Sequence, residues 1–199
     1  MKIAILVMAA GYSRRFRESG GEHKLLASLN GKPVLQHTLE HAAATGLDVF
    51  VVTRPEDAQI QALINNHGRA VICNSEGIGD SIAAGVKASG DYDGWLITLG
   101  DLPFLSSESV LAVADALYRA PVVRAQVDGE PGHPVGFQRT FYQRLVELKG
   151  DVGARALLKN AHCQWVSLAD PGCVLDIDSC SDLQKAELYG LHQVTAGIP

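Results

Sequence analysis

The sequence lacks the features that mark several classes of protein, and each absence narrows its function. Its four cysteines, Cys73, Cys163, Cys173 and Cys180, include no C-x-x-C pair. This spacing argues against a zinc or dithiol redox site and indicates reduced side chains in the cytosol. Basic residues (17) are fewer than acidic residues (22), which gives a net charge of −5, and no basic run occurs. These charges argue against a protein that binds nucleic acid or a membrane surface.

Long hydrophobic segments are also missing. The longest apolar run covers residues 3–10, whereas a helix needs about 20 apolar residues to cross a bilayer. Lys2 ahead of this run resembles the start of a signal peptide, but the polar residues 11–15 follow at once and no clean cleavage site appears. We therefore expect a cytoplasmic protein without a membrane contact.

The composition is that of a folded protein. Hydrophobic residues make up 47% of the 199 residues and charged residues 20%, which excludes a disordered chain. The length suits one domain with a full core and is short for two, so we predict a single domain over residues 1–199. The 20 glycines are above the usual share and indicate tight backbone turns around a ligand.

Strand-like and helix-like segments alternate along most of the chain. Short runs of Ile, Leu and Val are typical of strands buried on both faces, and the segments between them carry apolar residues at helical spacing. The predicted strands are 2–9, 47–53, 69–73, 95–99 and 122–127, and the predicted helices are 33–45, 55–66, 80–89 and 106–119. Four successive strand–helix units predict an α/β, Rossmann-like fold, with a doubly wound, mostly parallel mixed sheet and helices on both faces.

The remaining segments are less regular. Residues 10–23 and 128–134 are rich in turn residues and are predicted to be loops. Helices are predicted over 141–148, 152–160 and 181–189, and strand-like runs at Val166 and over 174–177. Ligands of doubly wound sheets bind beyond the carboxyl ends of the strands. The loops 10–23, 53–55, 74–80 and 100–104 should therefore open on one face.

The loop after the first strand has the composition of a phosphate-binding loop. It reads Ala9-Ala10-Gly11-Tyr12-Ser13-Arg14-Arg15, and Lys24 follows. Small residues allow the backbone to approach a ligand, and successive N–H groups can hold phosphate oxygens. Arg15 and Lys24 would add positive charge. A plain strand-to-helix turn with solvated arginines is the alternative, but the combination of Gly, Ser, Arg and Lys favours phosphate binding.

Two acidic motifs are candidates for a metal site. Asp101 follows the fourth strand, where a carboxylate faces the ligand crevice and can hold Mg²⁺ against a triphosphate. The alternative is a helix cap, a role that Ser106 or Ser107 could also fill. Strand alternation over Asp176-Ile177-Asp178 places both carboxylates on one side. Here a metal ligand and a helix cap at Asp178 remain equally good interpretations.

Taken together, these motifs resemble the molybdenum-cofactor cytidylyltransferases. This family belongs to the superfamily of Mg²⁺-dependent nucleotidyltransferases with a Gly-rich N-terminal signature. The matching motifs are Ala-Ala-Gly-x-Ser-x-Arg, Lys24, Gly-Asp-Leu-Pro at 100–103, Pro-Gly-His-Pro at 131–134, Gly-Asp-x-Gly-Ala-Arg at 150–155 and Asp-Ile-Asp-x-x-x-Asp-Leu at 176–183. They run in order from residue 3 to about residue 190. The motifs at 131–134 and 150–155 are the most specific to this family, whereas the others are shared more widely in the superfamily.

The resemblance implies a role for each matching residue. Asp101 and Asp178 would hold Mg²⁺, and Arg15, Lys24 and Asp101 would be the catalytic residues. The implied nucleotide-binding residues are Ala9, Ala10, Gly11, Ser13, Arg15, Lys24, Asn74, Gly79 and Ser81. The implied acceptor-binding residues are His133, Asp151 and Arg155.

The reaction implied by the resemblance is transfer of CMP from CTP to the terminal phosphate of molybdopterin, with release of pyrophosphate. Ala10 favours CTP, because the guanylyl relatives carry Gly there. A molybdoenzyme or its accessory chaperone would be a further partner. The alternatives are guanylyl or other nucleotidyl transfer to molybdopterin or to another small phosphorylated acceptor, such as a phospho-sugar or phospholactate, and a non-catalytic carrier of the pterin cofactor.

The chain departs from the family pattern in two places. Phe16-Arg17 stands where relatives usually carry Met-Gly, and residues 18–23 make the step to Lys24 longer and more charged. Cys180 stands where a proline is common.

Two short motifs point elsewhere. His37-Thr38-Leu39-Glu40-His41 matches the H-x-x-E-H pattern of some zinc peptidases, but no third ligand is evident. Residues 77–82 resemble half of a dinucleotide fingerprint, yet Ile82 replaces the third Gly and the motif follows the third strand. Both matches are weak, since short patterns often occur by chance.

Overall fold

The computed structural model describes residues 1–159 and 161–196. Its strands are β1 (Ile3–Met8), β2 (Ser28–Leu29), β3 (Lys32–Pro33), β4 (Asp48–Thr53), β5 (Arg69–Ile72), β6 (Gly94–Leu99), β7 (Val122–Val127), β8 (Glu130–Gln138) and β9 (Gln164–Ser167). Its helices are α1 (Arg14–Glu18), α2 (Val34–Ala44), α3 (Ala58–Ile64), α4 (Ile78–Ala88), α5 (Ser107–Leu117), α6 (Tyr142–Val146), α7 (Arg155–Leu158) and α8 (Cys180–Ala196). Short 3₁₀ turns cover Arg139–Phe141 and Pro171–Cys173.

Seven strands form one mixed sheet in the order β5-β4-β1-β6-β8-β7-β9. β1 pairs in parallel with β4 and β6, and β4 pairs in parallel with β5. β8 runs antiparallel to both β6 and β7, whereas β9 is parallel to β7. The chain leaves β1 on one side to form β4 and β5 and returns to its other side with β6. This reversal opens a crevice at the carboxyl ends of the central strands, so the predicted α/β doubly wound, mostly parallel sheet is confirmed.

Helices cover both faces of this sheet. Alternate residues of β1 point to opposite faces, with Ile5 and Val7 on one side and Leu6 on the other. The first face packs against α2, α3 and α5, and the second packs against α4 and α6. A strand buried on both faces has no polar side to show, which explains the continuous apolar run of β1.

The prediction that residues 128–134 form a loop is wrong beyond residue 129. Asp128 and Gly129 have φ values of 50° and 83° and form the tight turn of a hairpin between β7 and β8. Pro131 and Pro134 led to the prediction of a loop where the second strand of this hairpin, β8, forms. Both prolines precede Val135, where β8 begins to pair with β6. The edge of β8 that faces β6 therefore needs no N–H donors at the two prolines.

Three further predictions change in detail. Residues 10–23 are not all loop, because α1 forms within them. The strand-like run 174–177 is not a strand: a 3₁₀ turn precedes it, and it meets the sheet through a hydrogen bond from the Ile177 N–H to the Asp101 carbonyl (3.0 Å). The helix predicted over 152–160 is confined to α7, and its last residue, Asn160, lies outside the described residues.

Candidate active site

A cavity of about 470 Å³ opens at the carboxyl ends of β1, β4 and β6. Its walls come from the loop after β1, from Lys24, from the segment between β5 and α4, from the end of β6 and from the segment before α8. The loops predicted to meet on one face therefore do so.

The loop after β1 forms one wall. Ala10 and Gly11 line the cavity, whereas Ala9 lies behind them and donates its N–H to the Val52 carbonyl at the end of β4 (2.8 Å). Ser13 is buried with a φ of 53°, a backbone conformation that is uncommon outside glycine and concentrates at functional sites. Its Oγ accepts the N–H of Lys24 (3.3 Å), which joins the two parts of the predicted phosphate site.

Phe16 anchors the longer loop that distinguishes this chain. Its ring is buried beside Leu29, Val34 and Ile177. A Cβ at Gly21 would lie 2.1 Å from this ring, so the loop closes over Phe16 only with glycine there. The Gly21 N–H donates to the Phe16 carbonyl (3.1 Å). The unusual loop thus packs against the segment before α8, and Lys24 reaches the cavity despite the extra length.

Three aspartates converge on Lys24. Carboxylate oxygens of Asp101, Asp176 and Asp178 lie within 4.8 Å of one another. The Lys24 ammonium donates to Asp101 and to Asp178 (2.8 Å to the latter), and Arg15 pairs with the other oxygen of Asp178. Burial lowers the pKa of Lys24, but attraction by Asp101 and Asp178 outweighs it and raises the pKa above the ordinary value. Lys24 therefore stays positively charged in this cluster.

The cap interpretations of both acidic motifs do not hold. Helix α5 is capped by Ser106, whose Oγ accepts the Ser109 N–H (3.2 Å) and donates to Asp170 (2.8 Å). Asp182 accepts the Ser179 N–H (2.9 Å) at the start of α8, while the Ser179 Oγ accepts the Asp182 N–H (3.2 Å). This reciprocal pair is a capping box. Asp101 and Asp178 are thus left to face the cavity.

The aspartate cluster fits a hard divalent cation. Mg²⁺ and Mn²⁺ take oxygen ligands, and carboxylates are the preferred protein donors. Asp101 is 5% exposed, and its Oδ1 is buried without a hydrogen-bond partner among the described residues. Burial raises the pKa of Asp101, so a nearby cation stabilises its ionised form. Asp176 is exposed and completes the set.

The segment between β5 and α4 forms a second wall. Asp80 accepts the N–H groups of Glu76 (3.0 Å) and Gly77 (3.1 Å), and the Ser81 Oγ donates to the buried Ser75 Oγ (2.8 Å). Backbone donors, above all the Gly150 N–H, lower the pKa of Asp80. Ser81 lines the cavity as predicted, whereas Asn74 is exposed outside it.

Residues 149–153 lie directly on the start of α4. A Cβ at Gly77 would stand 2.2 Å from the Gly150 carbonyl carbon, and one at Gly79 would stand 2.5 Å from the Val152 oxygen. Gly77 and Gly79, which resemble half of a dinucleotide-binding fingerprint, are therefore explained by the close contact between two backbone segments and not by a bound dinucleotide. Gly79 does not line the cavity, but this contact places Asp151 at its edge.

Of the three predicted acceptor residues, Asp151 alone is among those that line the cavity. Arg155 is exposed at the start of α7, outside the lining. His133, on β8, is half-buried, and its Nδ1 lies 3.4 Å from the Ile97 carbonyl. Burial lowers the pKa of His133 to about 4. The imidazole is therefore neutral at pH 7 and does not supply positive charge to an acceptor phosphate.

This depressed pKa predicts a pH-dependent stability. The unfolded imidazole has its ordinary pKa of 6.5 and the folded one a pKa of about 4. The unfolded chain therefore takes up the proton first, so stability is lost as the pH falls from 6.5 towards 4 and is unaffected above 6.5. Over that range, we expect the free energy of unfolding to fall by up to about 3 kcal/mol more in the wild type than in His133→Gln. Urea unfolding of both proteins at several pH values checks this, and parallel pH profiles would contradict it.

Most of the predicted site residues meet in the cavity. Those that line it are Ala10, Gly11, Ser13, Arg15, Lys24, Ser81, Asp101, Asp151 and Asp178. Those that do not are Ala9, Asn74, Gly79, His133 and Arg155. Tyr12 and Arg54 also line the cavity but were not among the predicted site residues, and Asp176 was predicted only as the second carboxylate of the Asp-Ile-Asp motif. The Asp-Ile-Asp alternation was the signal for Asp176, whereas an arginine after a strand carries no comparable signal.

The H-x-x-E-H motif is structural. The His37 Nε2 lies 2.9 Å from the Leu29 carbonyl, and the His41 Nδ1 lies 2.9 Å from the Leu105 carbonyl. Glu40 binds Lys32 (2.9 Å). The motif therefore ties α2 to strands β2 and β3 and to the loop before α5.

Across the described residues, no helix has both the length and the apolar character required to cross a membrane.

Comparison with known proteins places the chain in a family. It matches the family model of the MobA-like NTP transferase domain over residues 5–166. It is 30% identical over 188 residues to the purine catabolism protein PucB of Bacillus subtilis (strain 168), which covers 86% of this chain and 89% of PucB. A 30% identical match over 129 residues to the bifunctional protein GlmU of Roseobacter denitrificans covers 62% of this chain and 28% of GlmU.

Solved structures share the fold. Rv0371c of Mycobacterium tuberculosis H37Rv in complex with manganese superposes with a TM-score of 0.80 at 22% identity, covering 94% of this chain and 99% of that one. Molybdopterin-guanine dinucleotide biosynthesis protein A of Archaeoglobus fulgidus gives a TM-score of 0.72 at 17% identity, covering 96% of this chain and 100% of that one. The family match spans most of the cavity-lining segments described above. The chain is therefore a nucleotidyltransferase that belongs to the MobA-like NTP transferase family.

Proposed function

We propose that this chain transfers CMP from CTP to the terminal phosphate of molybdopterin in a Mg²⁺-dependent reaction. The observation that carries the proposal is the meeting of Lys24, Arg15 and three aspartates in the cavity beside the loop after β1. We propose further that residues 1–199 form one cytoplasmic nucleotidyltransferase domain. A molybdoenzyme or its accessory chaperone would receive the product.

The donor and the acceptor are supported by different features. The phosphate-rich half of an NTP needs fixed positive charge and backbone N–H groups, and the loop after β1 with Lys24 offers both. Ala10 supports CTP, because the guanylyl relatives carry Gly at that position. The Gly-His-Pro and Gly-Asp-x-Gly-Ala-Arg segments support molybdopterin, as does the fold shared with a protein named for molybdopterin-guanine dinucleotide biosynthesis.

The residues suit an in-line displacement. An oxygen of the acceptor phosphate forms a bond to the α-phosphorus of CTP, and the bond from that phosphorus to the bridging oxygen breaks, so pyrophosphate leaves with the electron pair. The attacking phosphate is already ionised and needs no strong general base. Catalysis then consists of positioning and charge neutralisation. Lys24 and Arg15 would stabilise the charge on the phosphates. Mg²⁺ held by Asp101 and Asp178, with Asp176 beside them, would supply further positive charge.

A competition panel tests this function. Each of the four NTPs is mixed with Mg²⁺ and molybdopterin, and pyrophosphate release is measured; parallel reactions replace molybdopterin with a phospho-sugar or phospholactate. We expect release with CTP and molybdopterin to exceed the other combinations by at least about 10-fold, the discrimination worth roughly 1.4 kcal/mol. A preference for GTP, or for another acceptor, would overturn the corresponding part of the proposal. A carrier would release no pyrophosphate in any combination.

Gly11 offers a separate test of the nucleotide site. Its φ lies outside the left-handed region, and a Cβ there would meet no protein atom within 4 Å. The protein alone therefore gives no reason for a glycine, whereas a nucleotide against the backbone would. We expect Gly11→Ala to leave stability unchanged or to raise it by about 0.4–1 kcal/mol. CTP affinity should fall by at least about 10-fold, as overpacking against a close ligand costs on the order of 1–3 kcal/mol. Calorimetric titration and thermal unfolding measure both, and an unchanged CTP affinity would contradict the placement of the nucleotide.

A further inference from the structure

Arg54 is a charged residue that the mechanism above does not use. It follows β4 and is 7% exposed, yet it lines the cavity. Its nearest carboxylate, on the exposed Glu56, lies 3.7 Å away. Such a weak ion pair does not explain why a guanidinium is buried there, because burying a charge is costly unless hydrogen bonds satisfy it.

The hydrogen bonds of Arg54 go to two separate loops. Its Nε donates to the Ala10 carbonyl (2.8 Å), and an Nη donates to the carbonyl of the buried Ser75. Ala10 belongs to the loop after β1, and Ser75 belongs to the segment before α4. These two segments form neighbouring walls of the cavity. The planar guanidinium thus fixes the spacing between the walls, a geometry that one ammonium group cannot reproduce.

Two contacts hold Arg54 itself in place. Its guanidinium carbon lies 3.5 Å from the centre of the Tyr12 ring, within the range of a cation–π contact. Its carbonyl accepts a hydrogen bond from the Gln61 Nε2 of α3 (2.8 Å). Tyr12 is 44% exposed, so this ring covers the guanidinium at the cavity surface without being part of the core.

The phosphate side of the cavity is held by other contacts. Phe16 packs against Ile177, and Arg15 and Lys24 pair with the aspartates. None of these contacts involves Arg54. Loss of Arg54 should therefore disturb the segment that carries Ser75 and Ser81 and release the Ala10 carbonyl. The charged groups of the phosphate side, Arg15, Lys24 and the aspartates, should stay in place.

We infer that Arg54 is a positioning residue that sets the spacing of the two cavity walls for the nucleoside half of the nucleotide. This inference rests on the nucleotide site proposed above. Arg54 acts through Ala10 and Ser75, not by reacting with the substrate, and Tyr12 supports it by stacking.

Calorimetric titrations of Arg54→Lys with CMP and, separately, with pyrophosphate test this role in the presence of Mg²⁺. We expect the affinity for CMP to fall by at least about 10-fold, the loss of roughly one charge-assisted hydrogen bond. The affinity for pyrophosphate should fall less, by no more than about threefold, because Lys24, Arg15 and the aspartates keep their contacts. Equal CMP affinity in variant and wild type would overturn the inference, as would an equal loss for both ligands.

Arg139→Lys is a matched control. Arg139 also donates to two backbone carbonyls, those of Gly90 (2.6 Å) and Tyr92 (2.8 Å), and lies near a tyrosine ring. Its partners precede β6, at the opposite end of the strand from the cavity. We expect this variant to bind CMP like the wild type; a loss equal to that of Arg54→Lys would assign the effect to general loosening and overturn the inference.

Two outcomes separate this inference from the proposed function. A wild-type protein that binds neither CMP nor GMP overturns the nucleotide site, whereas binding that Arg54→Lys does not weaken overturns only the role of Arg54. If Arg54→Lys does not fold, Tyr12→Leu replaces it, since Tyr12 is exposed. CMP affinity should then fall by at least about threefold, within the range of a cation–π contact, and an unchanged CMP affinity would overturn the inference.

Discussion

Asp101→Asn is expected to lower Mg²⁺-dependent nucleotidyl transfer by on the order of 10³-fold, the upper range for loss of one preorganised electrostatic contact. Asparagine keeps the shape of the side chain and removes its charge. The buried Asp101 Oδ1 has no partner among the described residues, so this oxygen is available to bind a cation. Pyrophosphate release measures the activity, and Mn²⁺ binding by electron paramagnetic resonance measures the metal site directly.

Two variants make the Asp101 result specific. Asp176→Asn removes the exposed member of the same cluster, so its loss of activity should be smaller than that of Asp101→Asn. Asp115→Asn changes an exposed aspartate on α5 and should behave like the wild type. An Asp101→Asn protein that folds and keeps wild-type Mn²⁺ affinity would remove Asp101 from the metal site.

Lys24→Ala should lower turnover by on the order of 10²–10³-fold, about 2.7–4 kcal/mol of transition-state stabilisation. Lys24 donates to both Asp101 and Asp178, so its ammonium stands among the oxygens that would hold a divalent cation. Lys24 and the cation therefore compete for these oxygens when no nucleotide is bound. Lys24→Ala should bind Mn²⁺ more tightly than the wild type while it transfers CMP more slowly.

This pair of opposite effects distinguishes Lys24 from a residue that only maintains the fold. A destabilised protein would lose both metal binding and activity. Lys32→Ala, which breaks an exposed ion pair with Glu40 (2.9 Å), is the matched control and should change neither property. Wild-type turnover in Lys24→Ala would contradict the proposed role of Lys24 in phosphate binding.

Much of the fold could be predicted because its signals are local. The apolar run at residues 3–8 marks a strand buried on both faces, and helical spacing marks α2, α4 and α5. Where the local signal was mixed, the prediction was wrong. Pro131 and Pro134 lie in β8, and prolines are typical of loops rather than of strands. Only the pairing of β8 with β6 and β7 shows that β8 needs no N–H donors at these two positions.

For the candidate active site, too, some features follow from local sequence motifs and others from the tertiary structure alone. By itself, the sequence indicated the loop after β1 as a candidate phosphate site and Asp101 after β6 as a candidate metal ligand, because each motif is a short run with its own chemistry. Only the tertiary structure decided that Asp176 and Asp178 reach Asp101 without a strand, through the hydrogen bond between Ile177 and the Asp101 carbonyl (3.0 Å). It also decided that Arg54 joins two loops and that His133 is neutral. These features depend on which distant segments share a wall and on how much water is excluded from them, and neither is encoded in local spacing.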